Sequence, residues 1–342
     1  MMSNTHASER FDEMMDFLNA HLAAGFSVES LPGDASFRRY HRIYLPQSQM
    51  TYLLMDAPPQ KESVSEFVHV AEVMSEAVNV PDIIARDMAR GFLLLQDFGT
   101  VEFAHLIAED AKHKDVYYTQ ALGTLAQLQS ISTDVDLPAY SDEKLAQEMA
   151  LFDQWFLPYL GVSLNDHAQK LWTQLQQTVI NAVAAQPKVI VHRDYHSRNL
   201  MADKGSDALG VIDFQDAVIG AYTYDLVSLV RDAYIDYDET WVEKRIQEFY
   251  QLIRPRVDLG SFIAQTNVMG VQRHLKVLGI FIRLSERDGK HRYLLDIPKV
   301  MRDLLTELRW LSEHTHDAVY GEFLAWLQAD VLPAYQDKFQ SQ

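Results

Sequence analysis

Apolar positions follow two rhythms along this chain, and the switch between them divides it. After an amphipathic helix expected around Phe11 to Ala23, the segments Phe26 to Leu31 and Phe37 to Leu45 read as strands. The turn Pro32-Gly33-Asp34-Ala35-Ser36 joins them as a β-hairpin. A third strand is expected at Thr51 to Met55. From Lys61 to Val78 the period changes, with Val64, Phe67, Val68, Ala71, Met74 and Val78 at the i, i+3, i+4, i+7 spacing of an amphipathic helix. Strands near Asp82 to Arg86 and Phe92 to Gln96 complete five.

From about Asp115 the helical period dominates. Helices are predicted over Asp115 to Ile131, Asp142 to Leu160 and Asn165 to Ala185, and after Gly220 over Tyr224 to Ile235, Thr240 to Ile253, Ser261 to Arg287, Ile297 to Glu313 and Ala318 to Ala334. Two short β-branched or apolar runs interrupt them, Val189-Ile190-Val191 and Leu209-Gly210-Val211-Ile212. No internal repeat or low-complexity tract is visible.

Those two runs frame the candidate chemistry. His192-Arg193-Asp194-Tyr195-His196-Ser197-Arg198-Asn199 follows the first run, and Asp213-Phe214 closes the second. Phosphoryl transfer needs one carboxylate to orient and deprotonate an acceptor hydroxyl, and separate oxygen ligands to hold magnesium on ATP phosphates. Asp194 fits the first role; Asn199 and Asp213 fit the second. The expected fold is α+β and bilobal, protein-kinase-like. A small lobe over residues 1–96 would carry a five-stranded antiparallel sheet and a helix, and a mainly helical lobe would follow over 97–342. Gln96-Asp97-Phe98, at the end of the last small-lobe strand, reads as a hinge whose backbone holds adenine. His192 and His196 at i and i+4 offer a rival zinc reading, weakened by the strand-like run before them and by the lack of a glutamate after the first histidine. His192 is instead expected to pack beneath the loop.

Composition narrows the class. A chain of 342 residues, 48% hydrophobic and 23% charged, is ample for a two-lobed enzyme. The formal charge of -18 argues against a dedicated nucleic-acid binder. Cysteine is absent, which excludes disulfides and thiolate metal sites. The polar amino terminus and the lack of a long apolar stretch predict a cytoplasmic protein without a membrane anchor, and no obligate protein partner is implied.

On these motifs the chain resembles the aminoglycoside phosphotransferase and choline kinase-like enzymes over essentially its full length. Only eleven residues (214 to 224) separate Asp213 from Asp225, too few for the activation segment of a regulated protein kinase. Within that superfamily it is most similar to the bacterial anomeric N-acetylmuramate/N-acetylglucosamine kinases of cell-wall recycling. Gly33 to Tyr40, Met55-Asp56-Ala57-Pro58-Pro59, Val191 to Met201, Gly210 to Asp225 and Gln272 to Phe281 carry the resemblance. It implies ATP and magnesium as cofactors and a small amino-sugar substrate phosphorylated at C1. It further implies a product passed to a uridylyltransferase, Asp194 as base, Asn199 and Asp213 as metal ligands, and Asp225 as the buried brace of the catalytic loop. Gly33, Asp34, Ala35 and Ser36 would cover the phosphates with their N–H groups.

The third strand lacks the lysine that kinase-like folds place there. Arg38, Arg39, Arg42 and Lys61 are candidate replacements, Arg38 and Arg42 sharing one strand face, with Glu66 or Glu72 as helix partner. For the acceptor, planar and fork-like side chains are wanted, and Gln272, Arg273, His274, Arg231 and Asp232 are the candidates. Other expectations left open are a kinase of an aminoglycoside, choline or homoserine, and a nucleotide-binding pseudokinase.

Overall fold

Alternation in the first hundred residues does build one antiparallel sheet. The computed structural model describes residues 2–32, 37–203 and 205–339. In it α1 (Met2–His21) precedes β1 (Ser27–Ser30), β2 (Arg39–Leu45) and β3 (Met50–Asp56), then α2 (Val64–Met74), β4 (Ile83–Asp87), β5 (Phe92–Gln96) and α3 (Phe103–Glu109). The sheet order is β1-β2-β3-β5-β4. One face is sealed by α1, whose Met14, Phe17 and Leu18 pack on Ile43, Leu54, Phe92 and Leu94. Arg10 fastens that helix by donating to Asp56 Oδ1 at 2.5 Å and to the Arg90 carbonyl at 2.6 Å. Ser63 caps α2 through its hydroxyl.

The rest of the chain supplies α4 (Lys114–Ser130), α5 (Asp142–Met149), α6 (Leu157–Leu160), α7 (Asp166–Ala184), β6 (Lys188–Val191), β7 (Leu200–Ala202), β8 (Leu209–Val211) and β9 (Val218–Ala221). It ends in α8 (Tyr224–Val230), α9 (Glu239–Ile253), α10 (Leu259–Asp288), α11 (Ile297–His314), α12 (Ala318–Trp326) and α13 (Leu332–Phe339). Two compact units result: Met1–Ala111 with Arg198–Asp216, and Lys112–Ser197 with Ala217–Gln342. The chain is thus divided elsewhere than at residue 96.

In the first unit β7 and β8 form a hairpin, sewn down by Val211 N–H on the Asn79 carbonyl and Ala202 N–H on the Val101 carbonyl, at 2.8 and 2.9 Å. Gly210 lies against the Phe98 ring, where a Cβ would come within 2.4 Å of a ring carbon, so only glycine allows this approach. The two runs predicted as strands around the catalytic loop do not pair with each other. β6 pairs with β9 inside the second unit, and β8 pairs with β7 in the first.

The second unit is organised by α10, thirty residues long, buried over most of its middle and packed on α11, α7, α8 and α5. Two predicted helices are broken by wide π-type turns, at Phe152–Phe156 and Leu327–Val331. A third, predicted from Tyr224 to Ile235, stops at Val230. No helix among the described residues is long and apolar enough to cross a membrane.

Candidate active site

The loop after β6 is held on both sides of Asp194 by carboxylates from the α8 region. Asp225, fully buried in the first turn of α8, accepts the backbone N–H of His192 at 2.7 Å and of Arg193 at 3.0 Å. Asp232, past the end of α8, accepts the Ser197 N–H at 3.0 Å and its hydroxyl at 2.5 Å, and the Tyr234 N–H at 2.9 Å. Between these pins, the buried Tyr195 donates its hydroxyl to the Ala121 carbonyl at 2.8 Å. Asp194 N–H points to His192 Nδ1 at 3.3 Å, so the buried His192 ring receives a hydrogen bond beneath the loop. Arg193 sits at φ 76, a left-handed conformation costing a non-glycine residue roughly 1–2 kcal/mol. The anchors to Asp225 and Glu148 hold it there.

Around this loop lies a set of charges that face inward. Glu148, from the core face of α5, receives Arg193 at 2.7 Å, Lys276 Nζ at 3.0 Å and the Tyr140 hydroxyl. Lys276 also donates to the Tyr224 hydroxyl at 3.0 Å. Burial disfavours the Asp194 carboxylate, but Lys276 foremost, then His196, Arg273 and His192, outweigh it and hold the carboxyl below the usual carboxylate range. Burial pushes Asp225 the other way, up to about 6, against the nearby His192 and the two N–H groups it accepts. Asp194 is thereby kept ready as an anion while its brace resists ionisation.

Arg273 lies near Asp194 and is anchored at one corner. Its Nε donates to Ser228 Oγ at 2.8 Å, and Ser228 in turn donates to the Tyr224 carbonyl at 3.0 Å. No hydrogen bond or ion pair reaches its Nη1 or Nη2 among the described residues. Gln272 is fully buried, and among the described residues neither end of its amide meets a protein partner.

Other expected acceptor ligands are occupied elsewhere. Arg231 is 3% exposed and fully engaged: it donates to Glu239 at 2.5 and 2.8 Å, and its Nε lies 3.2 Å from Glu307. His274 Nδ1 lies 2.8 Å from Glu307 Oε2, and its Nε2 faces Asp303 at 3.7 Å. Burial lowers His274 to about 3, leaving a neutral imidazole, and raises Glu307, with Arg231 opposing. Gly270 makes room for this cluster, since a Cβ there would meet Glu307 Oε1 at 1.9 Å. Arg231 and His274 are therefore corrected from sugar ligands to members of a closed ion cluster, and Asp232 to an anchor of the catalytic loop.

The first unit holds the nucleotide-side candidates. Asn199 and Asp213 ride on the β7–β8 hairpin, where Ile212 N–H donates to the Asn199 carbonyl at 3.0 Å. Asp213 is exposed, stands at φ 62 and accepts from Gln215 Nε2 at 2.8 Å. An amide oxygen and an exposed carboxylate on neighbouring backbone suit magnesium, which takes few protein oxygens and keeps waters and phosphates as its other ligands. Arg38, just before β2, pairs with Glu62 at 3.2 Å. Tyr40, beside them, is pushed up to about 12 by burial, with Arg38 opposing and Asp213 adding. The acid next to the candidate cation is thus Glu62, ahead of α2. Glu66 is exposed, and Glu72 pairs with Arg86 at the surface.

Arg42 donates to Asp97 at 2.8 Å, and Asp97 accepts the Gly99 N–H, so the Asp97 carboxylate is committed to its own neighbourhood. Gln96 is tied to Asp82 through backbone and side chain. Phe98 is buried against Gly210. Gly33, Asp34, Ala35 and Ser36 lie outside the described residues. The zinc reading has no support in this geometry. His192 and His196 sit in irregular loop rather than on a helix, and no cluster of three or more His, Asp or Glu able to hold a metal occurs among the described residues.

Sequence reasoning missed Lys276, Glu148, Ser197 and Glu62. A signal existed for the first two. Lys276 interrupts a buried helical run, and Glu148 sits at i+3 from Leu145 beside Met149 on the core face of α5. A charge on an apolar stripe marks a buried partner.

Residues 27–258 match the phosphotransferase enzyme family. The N-acetylmuramate/N-acetylglucosamine kinase of Pseudomonas putida is 38% identical over 310 residues, covering 89% of each chain. The protein of the same name from Neisseria meningitidis is 38% identical over 298 residues, covering 84% of this chain and 87% of its own. Among solved structures, an ADP-bound aminoglycoside phosphotransferase aligns with TM-score 0.57 at 14% identity, over 85% of this chain and 97% of its own. A Plasmodium vivax ethanolamine kinase aligns with TM-score 0.59 at 12% identity, over 82% of each. The two structures share the kinase-like fold, and the family match and the 38% relatives together place the chain by descent: it belongs to the phosphotransferase enzyme family.

Proposed function

We propose that this chain is an ATP-dependent kinase that phosphorylates the C1 hydroxyl of N-acetylmuramate or N-acetylglucosamine, in the cytoplasm, for peptidoglycan recycling. The observation that carries it is Asp194, ionised and set in a loop pinned at residues 192, 193 and 197. The identity of the acceptor is supported by the shared name of the relatives.

In this reading Asp194 accepts a hydrogen bond from the acceptor hydroxyl and aims its oxygen at the γ-phosphorus. It takes the proton as the new O–P bond forms and ADP leaves with the electrons of the broken bond. A hemiacetal hydroxyl is more acidic than an ordinary alcohol, which eases the transfer. Asn199 and Asp213 would hold magnesium, which would neutralise phosphate charge. Arg38, oriented by Glu62, takes the part of the missing strand lysine. The backbone at 96–98 meets adenine. Catalysis is mostly positioning and charge placement, which suits a rigidly pinned loop.

The test is incubation with magnesium-ATP and a panel of N-acetylmuramate, N-acetylglucosamine, kanamycin and choline, read by phosphorus NMR. A new resonance coupled to an anomeric proton is expected. Phosphate on kanamycin or choline alone overturns the amino-sugar assignment, and no transfer to any acceptor by folded, ATP-binding protein favours a pseudokinase.

A further inference from the structure

Four cations are buried in the helical unit: Arg231, Arg245, Arg273 and Lys276. Three of them meet a carboxylate, Arg231 at Glu239, Arg245 at Glu248 and Lys276 at Glu148, at 2.5, 2.7 and 3.0 Å. Arg273 meets none within 4.0 Å among the described residues, although it is only 7% exposed. A guanidinium removed from water without an ion partner is costly, and the missing partner is the more unusual because acids outnumber bases 48 to 30 along the chain. Its orientation is nevertheless fixed. Ser228 holds Nε, and the plane lies with its central carbon 5.8 Å from the Tyr224 ring centroid, so the edge formed by Nη1 and Nη2 is left over.

That edge is the fork that binds a carboxylate through two parallel hydrogen bonds. It lies close enough to Asp194 for the two charges to act on each other, without forming an ion pair with it. We infer that the open Nη edge of Arg273 binds the carboxylate of the acceptor, making it the specificity element that favours acidic N-acetylmuramate over uncharged N-acetylglucosamine. The inference rests on the sugar-kinase reading above and deepens it. The chemistry of the ligand fits two anchors. N-acetylmuramate carries its reacting hydroxyl at C1 and its lactyl carboxylate at C3, on either side of C2, so one ring can address both Asp194 and Arg273. N-acetylglucosamine offers the same C1 hydroxyl and acetamido group, with a plain hydroxyl at C3.

The two sugars therefore isolate the carboxylate. In Arg273→Met, KM for N-acetylmuramate and its Kd by calorimetry without nucleotide are expected to rise about 30-fold. Both constants for N-acetylglucosamine should move less than about threefold. Any change in kcat, from the lost neighbour of Asp194, should be shared by both sugars. Arg273→Lys keeps the charge but not the fork and should recover part of the N-acetylmuramate affinity, which also covers the case in which the methionine variant does not fold. An equal loss with both sugars would mean that Arg273 serves the transferring phosphate, and it overturns the inference, as does unchanged N-acetylmuramate affinity. If the unaltered protein phosphorylates neither sugar, the sugar-kinase reading itself falls; if it phosphorylates both and the variants lose no selectivity, only the role of Arg273 does.

Discussion

Arg231 and Arg273 are both buried in the same unit, 3% and 7% exposed, yet they use their hydrogen-bonding capacity in opposite ways. Arg231 is closed on all sides by Glu239, Glu307 and Asp303. Arg273 has one neutral anchor, Ser228, and an open edge. The first arrangement satisfies the charge inside the protein, so its removal should be felt as lost stability. The second leaves a charge whose partner comes from outside, so its removal should be felt as lost recognition. The same division would extend to the acids, with Glu307 paired inside the fold and Asp194 proposed for the reaction.

The largest expected effect sharpens this division at its functional end. Asp194→Asn should lower kcat by about 10³-fold with no loss of thermal midpoint, measured by steady-state kinetics and calorimetry; near-normal turnover with ATP still bound would show that Asp194 is not the base. At the structural end, Arg231→Met takes the cation from the buried Glu307, while Asp303 keeps Lys299 at 2.6 Å; it should cost about 3 kcal/mol in urea unfolding, while acceptor KM of the folded protein stays within about twofold. A selective rise in acceptor KM would erase the distinction between the two arginines.

Lys276 sits on the border, since it pairs with Glu148 and also leads the cations around Asp194. Without that positive neighbour the Asp194 anion is less favoured, so its pKa rises. Lys276→Met should therefore move the acid limb of the kcat/KM profile to higher pH and reduce activity on that limb by about tenfold. An unmoved limb would assign Lys276 to the fold alone.

The smallest effect concerns Asp225, raised from 3.8 to about 6 in the folded state. Between those values the folded protein holds a proton that the unfolded chain releases. The stability contributed by this group is thus full below about 4 and is lost as pH rises through about 6. The stability of the native protein relative to Asp225→Asn should fall across that window; a flat difference in urea titrations at pH 4 and pH 7 would contradict it.

Much of the sheet was legible because its strands announce themselves by short apolar runs between turn residues. The predicted strand at Phe92 to Gln96 matches β5, and the helix predicted at Ile297 to Glu313 matches α11 within a residue. Features set by tertiary context were not legible. A π-type turn in Phe152–Phe156 needs no departure from the helical period, and β7 and β9, three and four residues long, exist only through their partners. Asp194, Asn199 and Asp213 could be put forward as candidates from their spacing and the apolar runs before them, and their roles stay proposals. Sorting Arg231 from Arg273 was not, because both stand in mixed polar and apolar segments and only the fold decides which acids approach them.

Asp213 stands at φ 62, a backbone region that asparagine and glycine enter more readily than most residues. The replacements that its backbone accepts best are the two that lack the carboxylate proposed to hold magnesium. Drift at this codon to either residue would leave the backbone there without added strain. A descendant lineage could lose the reaction here without any trace in the architecture, and an intact fold alone would not reveal whether a relative still works.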